Sequence, residues 1–102
     1  MTNAWSIKIV ELADGTVAFE PDVAGATPGQ PLGVKAGDLV TWNNRTNQAH
    51  WPVATSSQTF LTNEIPAGQV SDPIFQVPNS ENSVRYSCRH HPQEQGVIEV
   101  VP

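Results

Sequence analysis

Hydrophobic residues in this chain come in short alternating runs, and no stretch holds a helical period. Trp5, Ile7 and Ile9 alternate with Ser6 and Lys8, the two-residue period of a half-buried strand. Val84, Tyr86 and Cys88 share one face of a second such run, with Arg85, Ser87 and Arg89 on the other. Turn signals stand between the runs: Asp14-Gly15, Ala36-Gly37-Asp38 and Ile65-Pro66-Ala67-Gly68. Nine prolines and seven glycines in 102 residues interrupt the chain often enough to favour short elements. The expected fold is all-β: an antiparallel Greek-key sandwich of seven or eight strands, one domain over residues 1–102.

Further strands are expected at Thr16–Phe19, Leu32–Lys35, Leu39–Asn44, Ala49–Thr55, Pro73–Val77 and Val97–Val101. Pro52 cannot donate to a sheet ladder, so its strand should lie at an edge or carry a bulge. Residues 20–31, rich in Pro, Gly and Ala, read as a surface loop. A short helical turn is expected around residues 56–64.

Ten acids against five bases leave a net charge of −5. No basic run exists to neutralise phosphates, which argues against nucleic acid. No apolar run approaches the length of a membrane span. The opening Met1-Thr2-Asn3-Ala4-Trp5 does not read as a secretory leader, which fits a cytosolic protein or a mature form with a new initiator.

A single cysteine allows no internal disulfide, so Cys88 is free, metal-bound or intermolecular. It lies at the end of a strand, and His91 follows at Cys-x2-His spacing. One short loop thus carries a soft sulfur and an imidazole nitrogen. His50, just after the Leu39–Asn44 strand, is the remaining histidine apart from His90. One thiolate and two imidazoles form the trigonal set that suits copper in electron transfer. Buried cysteines are commonly plain core residues, so the set matters more than any member. A tetrahedral zinc site of Cys, two His and Glu competes with copper, although structural zinc sites usually contain more cysteines. A Cys88–His50 nucleophile pair is a remoter alternative, because nothing resembles an oxyanion loop.

The stretches GDLVTWNNRTNQAHWPV and YSCRHHPQEQGVIEV resemble the cupredoxins, the small type 1 blue copper proteins, and most closely their amicyanin and plastocyanin branch. The resemblance covers roughly residues 30 to 101. It implies one copper ion cycling between Cu(I) and Cu(II), with His50, Cys88 and His91 as equatorial ligands. It also implies electron transport rather than enzymatic catalysis, redox protein partners that dock transiently, a monomer, and a periplasmic or other extracytoplasmic location.

Two positions depart from that pattern. The family usually places Met two residues before the glycine of the closing strand. Here that residue is Glu94, before Gly96, and the chain's one methionine is Met1. The axial position therefore falls to Glu94, to Gln93 or Gln95, or to nothing. An oxygen ligand is harder than a thioether and should favour Cu(II). The family also commonly has Asn after the upstream histidine. Trp51 stands there, leaving that outer role vacant or to Asn43, Asn44 or Asn47. His90 is expected to face solvent, and Arg45, Arg85 and Arg89 to be surface charges. Trp42 and Trp5 are expected in the core. Trp51 either shields the metal or simply packs. These departures keep a second function open: a more exposed copper site used for storage, delivery or sensing.

Overall fold

A computed structural model describes residues 3–72, 74–79 and 82–101. Pro73, expected to begin a strand, and Met1, the chain's one methionine, lie outside the described residues. Eight strands and no helix occur among the described residues: β1 (Ala4–Glu11), β2 (Val17–Pro21), β3 (Leu32–Val34), β4 (Leu39–Asn44), β5 (Pro52–Ala54), β6 (Phe75–Gln76), β7 (Ser83–Cys88) and β8 (Gln95–Val100). They form two four-stranded sheets, ordered β2-β1-β4-β6 and β3-β8-β7-β5.

The sandwich is as expected, but its sheets are mixed. β1 runs parallel to β4 and β3 runs parallel to β8, while the other four pairings are antiparallel. The chain leaves the first sheet after β2, contributes β3 to the second, and returns as β4. Direction is then set by the crossing between sheets and not by a hairpin. The helical turn expected at 56–64 is instead a tight non-helical loop that holds Gln58 at a φ of 56°. Pro52 does sit on an edge strand, β5.

Alternation along each strand delivers the core. Ile7 and Ile9 of β1, Phe19 of β2, and Val40 and Trp42 of β4 meet Leu32, Val34, Val84, Tyr86 and Ile98 from the opposite sheet. Tyr86 stands edge-on to Phe19 and to Trp42, with ring centroids 4.8 and 5.3 Å apart, a favoured aromatic arrangement. Trp5 packs against this cluster from its margin. On the outer face, Lys8 and Glu20 stand opposite in register and pair at 2.8 Å.

Asp38, buried in the turn before β4, ties the start of β1 to that turn. Its carboxylate accepts from Asn3 N–H (3.0 Å), Lys35 N–H (3.0 Å) and the Trp5 indole N–H (2.9 Å). These donors, the Asn3 amide foremost, hold its pKa below the usual carboxylate range. A depressed folded-state pKa adds stability above the unfolded value, near ~3.9, and loses it as pH falls through the folded one. Asp38→Asn should therefore lower the urea midpoint clearly at pH 7, and the gap to wild type should close in acid. A gap of constant size across that range would rule out the carboxylate charge as its source.

Candidate metal centre

Three segments deliver the site. β7 ends at Cys88, which is fully buried on the inward face. The loop that follows turns at once: His91 N–H donates to Cys88 C=O (3.1 Å), Glu94 N–H to His91 C=O (2.9 Å), and Cys88 N–H to Glu94 C=O (3.0 Å). This closed turn brings residues 88, 91 and 94 to one side. His50 arrives from the segment between β4 and β5, fixed by a two-way backbone bridge to Ile65 (3.1 and 2.8 Å). β5 pairs with β7 so that Pro52 lies opposite Cys88. That register sets the His50 segment beside the thiol.

The side chains of His50, Cys88, His91 and Glu94 converge, with one ligand atom from each lying within 4.8 Å of all the others. Cys88 Sγ is 3.5 Å from His50 Nδ1 and 3.8 Å from His91 Nδ1. Glu94 Oε1 is 3.1 Å from His50 Nδ1 and 3.6 Å from His91 Nδ1. Gln93 and Gln95 are exposed, whereas Glu94 is buried. His91 is the outermost of the four, its side chain 35% exposed, while His50 is wholly buried.

Glu94 Oε1 is buried with no aligned hydrogen bond, one of two such side-chain atoms among the described residues; the other is Trp42 Nε1. An uncompensated buried carboxylate is costly. A cation at the point where the four donors meet would remove that cost, so the residues fit a metal ion. The donor set of one sulfur, two imidazole nitrogens and one carboxylate oxygen suits copper or zinc. Burial holds the His50 imidazole below its ordinary pKa, against the opposing pull of the Glu94 carboxylate. That direction favours the neutral imidazole, the form a metal ligand needs.

Behind His50 lies a partner that sequence reasoning did not single out. Thr46 Oγ1 sits 3.0 Å from His50 Nε2 and 2.7 Å from Asn44 Oδ1. Asn44, one of the three asparagines with a possible outer role, is fully buried. The i, i+4 spacing of Thr46 and His50 is plain in the sequence, but a Thr-x3-His spacing in a loop carries no signal of contact.

Trp51, expected either to shield a metal or simply to pack, is held on both its polar and its apolar side. Its indole N–H donates to Thr62 C=O (2.7 Å), and its ring stacks on the half-exposed Phe60 at 4.2 Å and 18°. The Arg89 guanidinium lies 5.9 Å from the Phe60 centroid. His90, facing solvent as expected, pairs with Glu64. The expected surface positions of Arg45, Arg85 and Arg89 agree with their exposure, and Trp42 is wholly in the core.

No protein-family model and no curated protein matches the sequence. Solved structures do match. A methionine-to-alanine variant of amicyanin, in its Cu(I) form, superposes with a TM-score of 0.65 at 20% identity, over 96% of this chain and 82% of that one. A reduced tryptophan-to-tyrosine variant of amicyanin gives 0.66 at 20% identity, over 99% and 85%. A methionine-to-glutamine variant, also Cu(I), gives 0.62 at 21% identity, over 97% and 83%. The cupredoxin resemblance read from two stretches of sequence thus extends over nearly the whole chain in three dimensions, and the protein has the cupredoxin fold seen in amicyanin.

Proposed function

We propose that this protein is a single-electron carrier that holds one copper ion through His50, Cys88, His91 and Glu94. When bound, copper supplies the one-electron chemistry by cycling between its +1 and +2 states. The observation that carries the reading is the convergence of these four side chains around the otherwise unpartnered Glu94 oxygen. Cys88 contributes the thiolate and the main electronic coupling into β7. His50 and His91 complete the nitrogen set. The protein's task is to hold all four donors still, so that both oxidation states meet the same environment and little reorganisation accompanies transfer.

The same geometry supports Glu94 as a true fourth ligand. The four separations given above among the donors run from 3.1 to 3.8 Å. With metal–ligand bonds of about 2.0–2.3 Å, a tetrahedral ion spans roughly that edge length. A hard carboxylate favours Cu(II), so Glu94→Met should raise the reduction potential. For a one-electron couple each tenfold loss of preference for Cu(II) is worth about 59 mV, and an upward shift above ~100 mV is expected by voltammetry. An unchanged potential and spectrum would remove Glu94 from the ligand set.

Electron exchange is assigned to the His91 end, the most accessible ligand. The adjoining surface, with Phe60 stacked on Trp51 and Arg89 over Phe60, would form the docking face for a redox protein that binds briefly as one partner to a monomer. No helix among the described residues is long and apolar enough to cross a membrane. An extracytoplasmic location is what the cupredoxin resemblance implies for such a carrier. Storage or delivery calls for ligands that a chelator can reach, and the burial of His50, Cys88 and Glu94 favours the carrier. The copper-loaded protein should show an intense visible band, reversible one-electron voltammetry and slow loss of copper to a modest chelator. Rapid bleaching with irreversible voltammetry would favour delivery instead.

A further inference from the structure

We infer that Asn44 and Thr46 form a positioning relay that fixes which nitrogen of His50 carries the proton, leaving Nδ1 bare and aimed into the metal centre. The inference rests on the proposal that His50 is a metal ligand, and it names two residues that act through it.

Proton accounting leads to the assignment from the outside inwards. The Asn44 side chain is wholly buried. Its Nδ2 faces three backbone carbonyls: Gln48 at 2.7 Å, Ile65 at 3.0 Å and Pro66 at 3.3 Å. Only an NH2 group fits there, because a carbonyl oxygen would face other oxygens with no hydrogen between them. Asn44 Oδ1 must then be the atom facing Thr46. It accepts from Thr46 N–H at 3.0 Å and from the Thr46 hydroxyl at 2.7 Å.

A hydroxyl owns one hydrogen. Both strong acceptors beside Thr46 Oγ1, Asn44 Oδ1 and Gln48 C=O (3.0 Å), compete for it. The oxygen's lone pairs are left for donors. One receives Gln48 N–H at 3.3 Å, and the other faces His50 Nε2 at 3.0 Å. With the hydroxyl hydrogen on its shortest contact, Asn44 Oδ1, the lone pair facing His50 calls for a donor, which places the proton of His50 on Nε2. Nδ1 is then unprotonated, beside the Cys88 thiol at 3.5 Å.

The relay works against a real competitor. Glu94 Oε1 lies 3.1 Å from Nδ1 and would accept a proton placed there. That alternative would quench both ligands with an internal hydrogen bond that an incoming ion must first break. Thr46 holds the proton at the far side of the ring, so the site is pre-set for a cation. An outer partner of this kind, bonded to the second nitrogen of a ligand imidazole, typically governs metal affinity by about 10–100-fold.

The test compares wild type, Thr46→Val and Thr46→Ser. Valine keeps the shape and removes the hydroxyl, while serine keeps the hydroxyl. Long-range ¹⁵N–¹H NMR of the metal-free proteins, at a pH where the ring is neutral, reads the tautomer directly. Competitive chelator titration reads Cu(II) affinity, and circular dichroism confirms folding. Wild type and Thr46→Ser should show Nε2–H. Thr46→Val should move proton population to Nδ1 and bind Cu(II) about 10–100-fold more weakly. An Nδ1–H tautomer in wild type, or a folded Thr46→Val protein with wild-type tautomer or affinity, overturns the relay. Should Thr46→Val not fold, an Nδ1–H tautomer or a tenfold affinity loss in Thr46→Ser overturns it equally. Failure of wild type to bind copper would defeat the electron-carrier reading, while the tautomer measurement would still decide the relay.

Discussion

Cys88→Ser is expected to erase the intense visible absorption of the copper-loaded protein while leaving a folded chain. The band would arise from charge transfer between thiolate and Cu(II), and this chain has one sulfur able to supply it, since its only other sulfur is that of Met1. A serine hydroxyl does not ionise near neutral pH as a metal-facing thiol does, so both the chromophore and the softest ligand disappear together. Outer partners of ligands are worth about 10–100-fold in affinity, so losing an inner ligand should cost at least about that much. The side chain is fully buried, and exchanging sulfur for a smaller, more polar oxygen should also cost about 1 kcal/mol in the metal-free state. Absorption and EPR of the copper-loaded variant, beside thermal unfolding of the apo form, separate the two effects. A surviving visible band would show that the metal is not bound through Cys88.

The largest effect on stability is expected at Gly96, where no ligand is involved. Gly96 stands opposite Tyr86 in the β7–β8 register, and the phenol ring lies over the place a side chain would occupy. A methyl group added at Gly96 would sit 2.7 Å from Tyr86 Cε2, and closer still to Cζ and the hydroxyl oxygen. The ring cannot swing aside, because Phe19 and Trp42 hold it edge-on from the other sheet. Overpacking usually costs about 1–3 kcal/mol, and a clash with a clamped aromatic ring belongs at or above the upper end. Gly96→Ala should lose about 3 kcal/mol or more, which for a domain of this size lowers the Tm by roughly 12–24 °C. Coupling to Tyr86 gives the control: Gly96→Ala should be milder in a Tyr86→Leu background, as a double-mutant cycle would show. Equal losses in both backgrounds would mean that the ring is not the obstacle. Tyr86 lies two residues before Cys88 and Gly96 two after Glu94, so strain between these strands also reaches the site. Copper affinity of any folded Gly96→Ala protein should fall with its stability.

Trp51 and Phe60 bear on how the segments around the candidate site are anchored. Their stacked rings and the Trp51–Thr62 hydrogen bond tie the His50 segment to the loop after β5, and the His90–Glu64 pair ties the ligand loop to the same region. The loop of residues 88–94 is thus anchored on both flanks, which suits the proposed electron carrier.

Local chemistry makes much of this protein legible in its residues alone. The two-residue period announces strands, because a pleated chain half-buried in a sandwich must alternate its side chains. Gly and Asp mark turns, since Gly15 and Gly37 adopt left-handed φ values of 88° and 89° that few residues tolerate. Cys88, His91 and Glu94 group together because they share one short loop, and His50 joins them through the family pattern. Contacts between distant segments are a different matter. The parallel pairing of β1 with β4, the Tyr86 ring over Gly96, the Trp51–Phe60 stack and the Thr46–Asn44 support behind His50 are set by how the two sheets cross and register. No local period encodes a crossover, and a hydroxyl or a glycine in a loop looks the same in sequence whether it faces water or an imidazole. Which polar group stands against each nitrogen of His50, and whether the residue at 94 points inward, are decided only by how the loops close around the buried site.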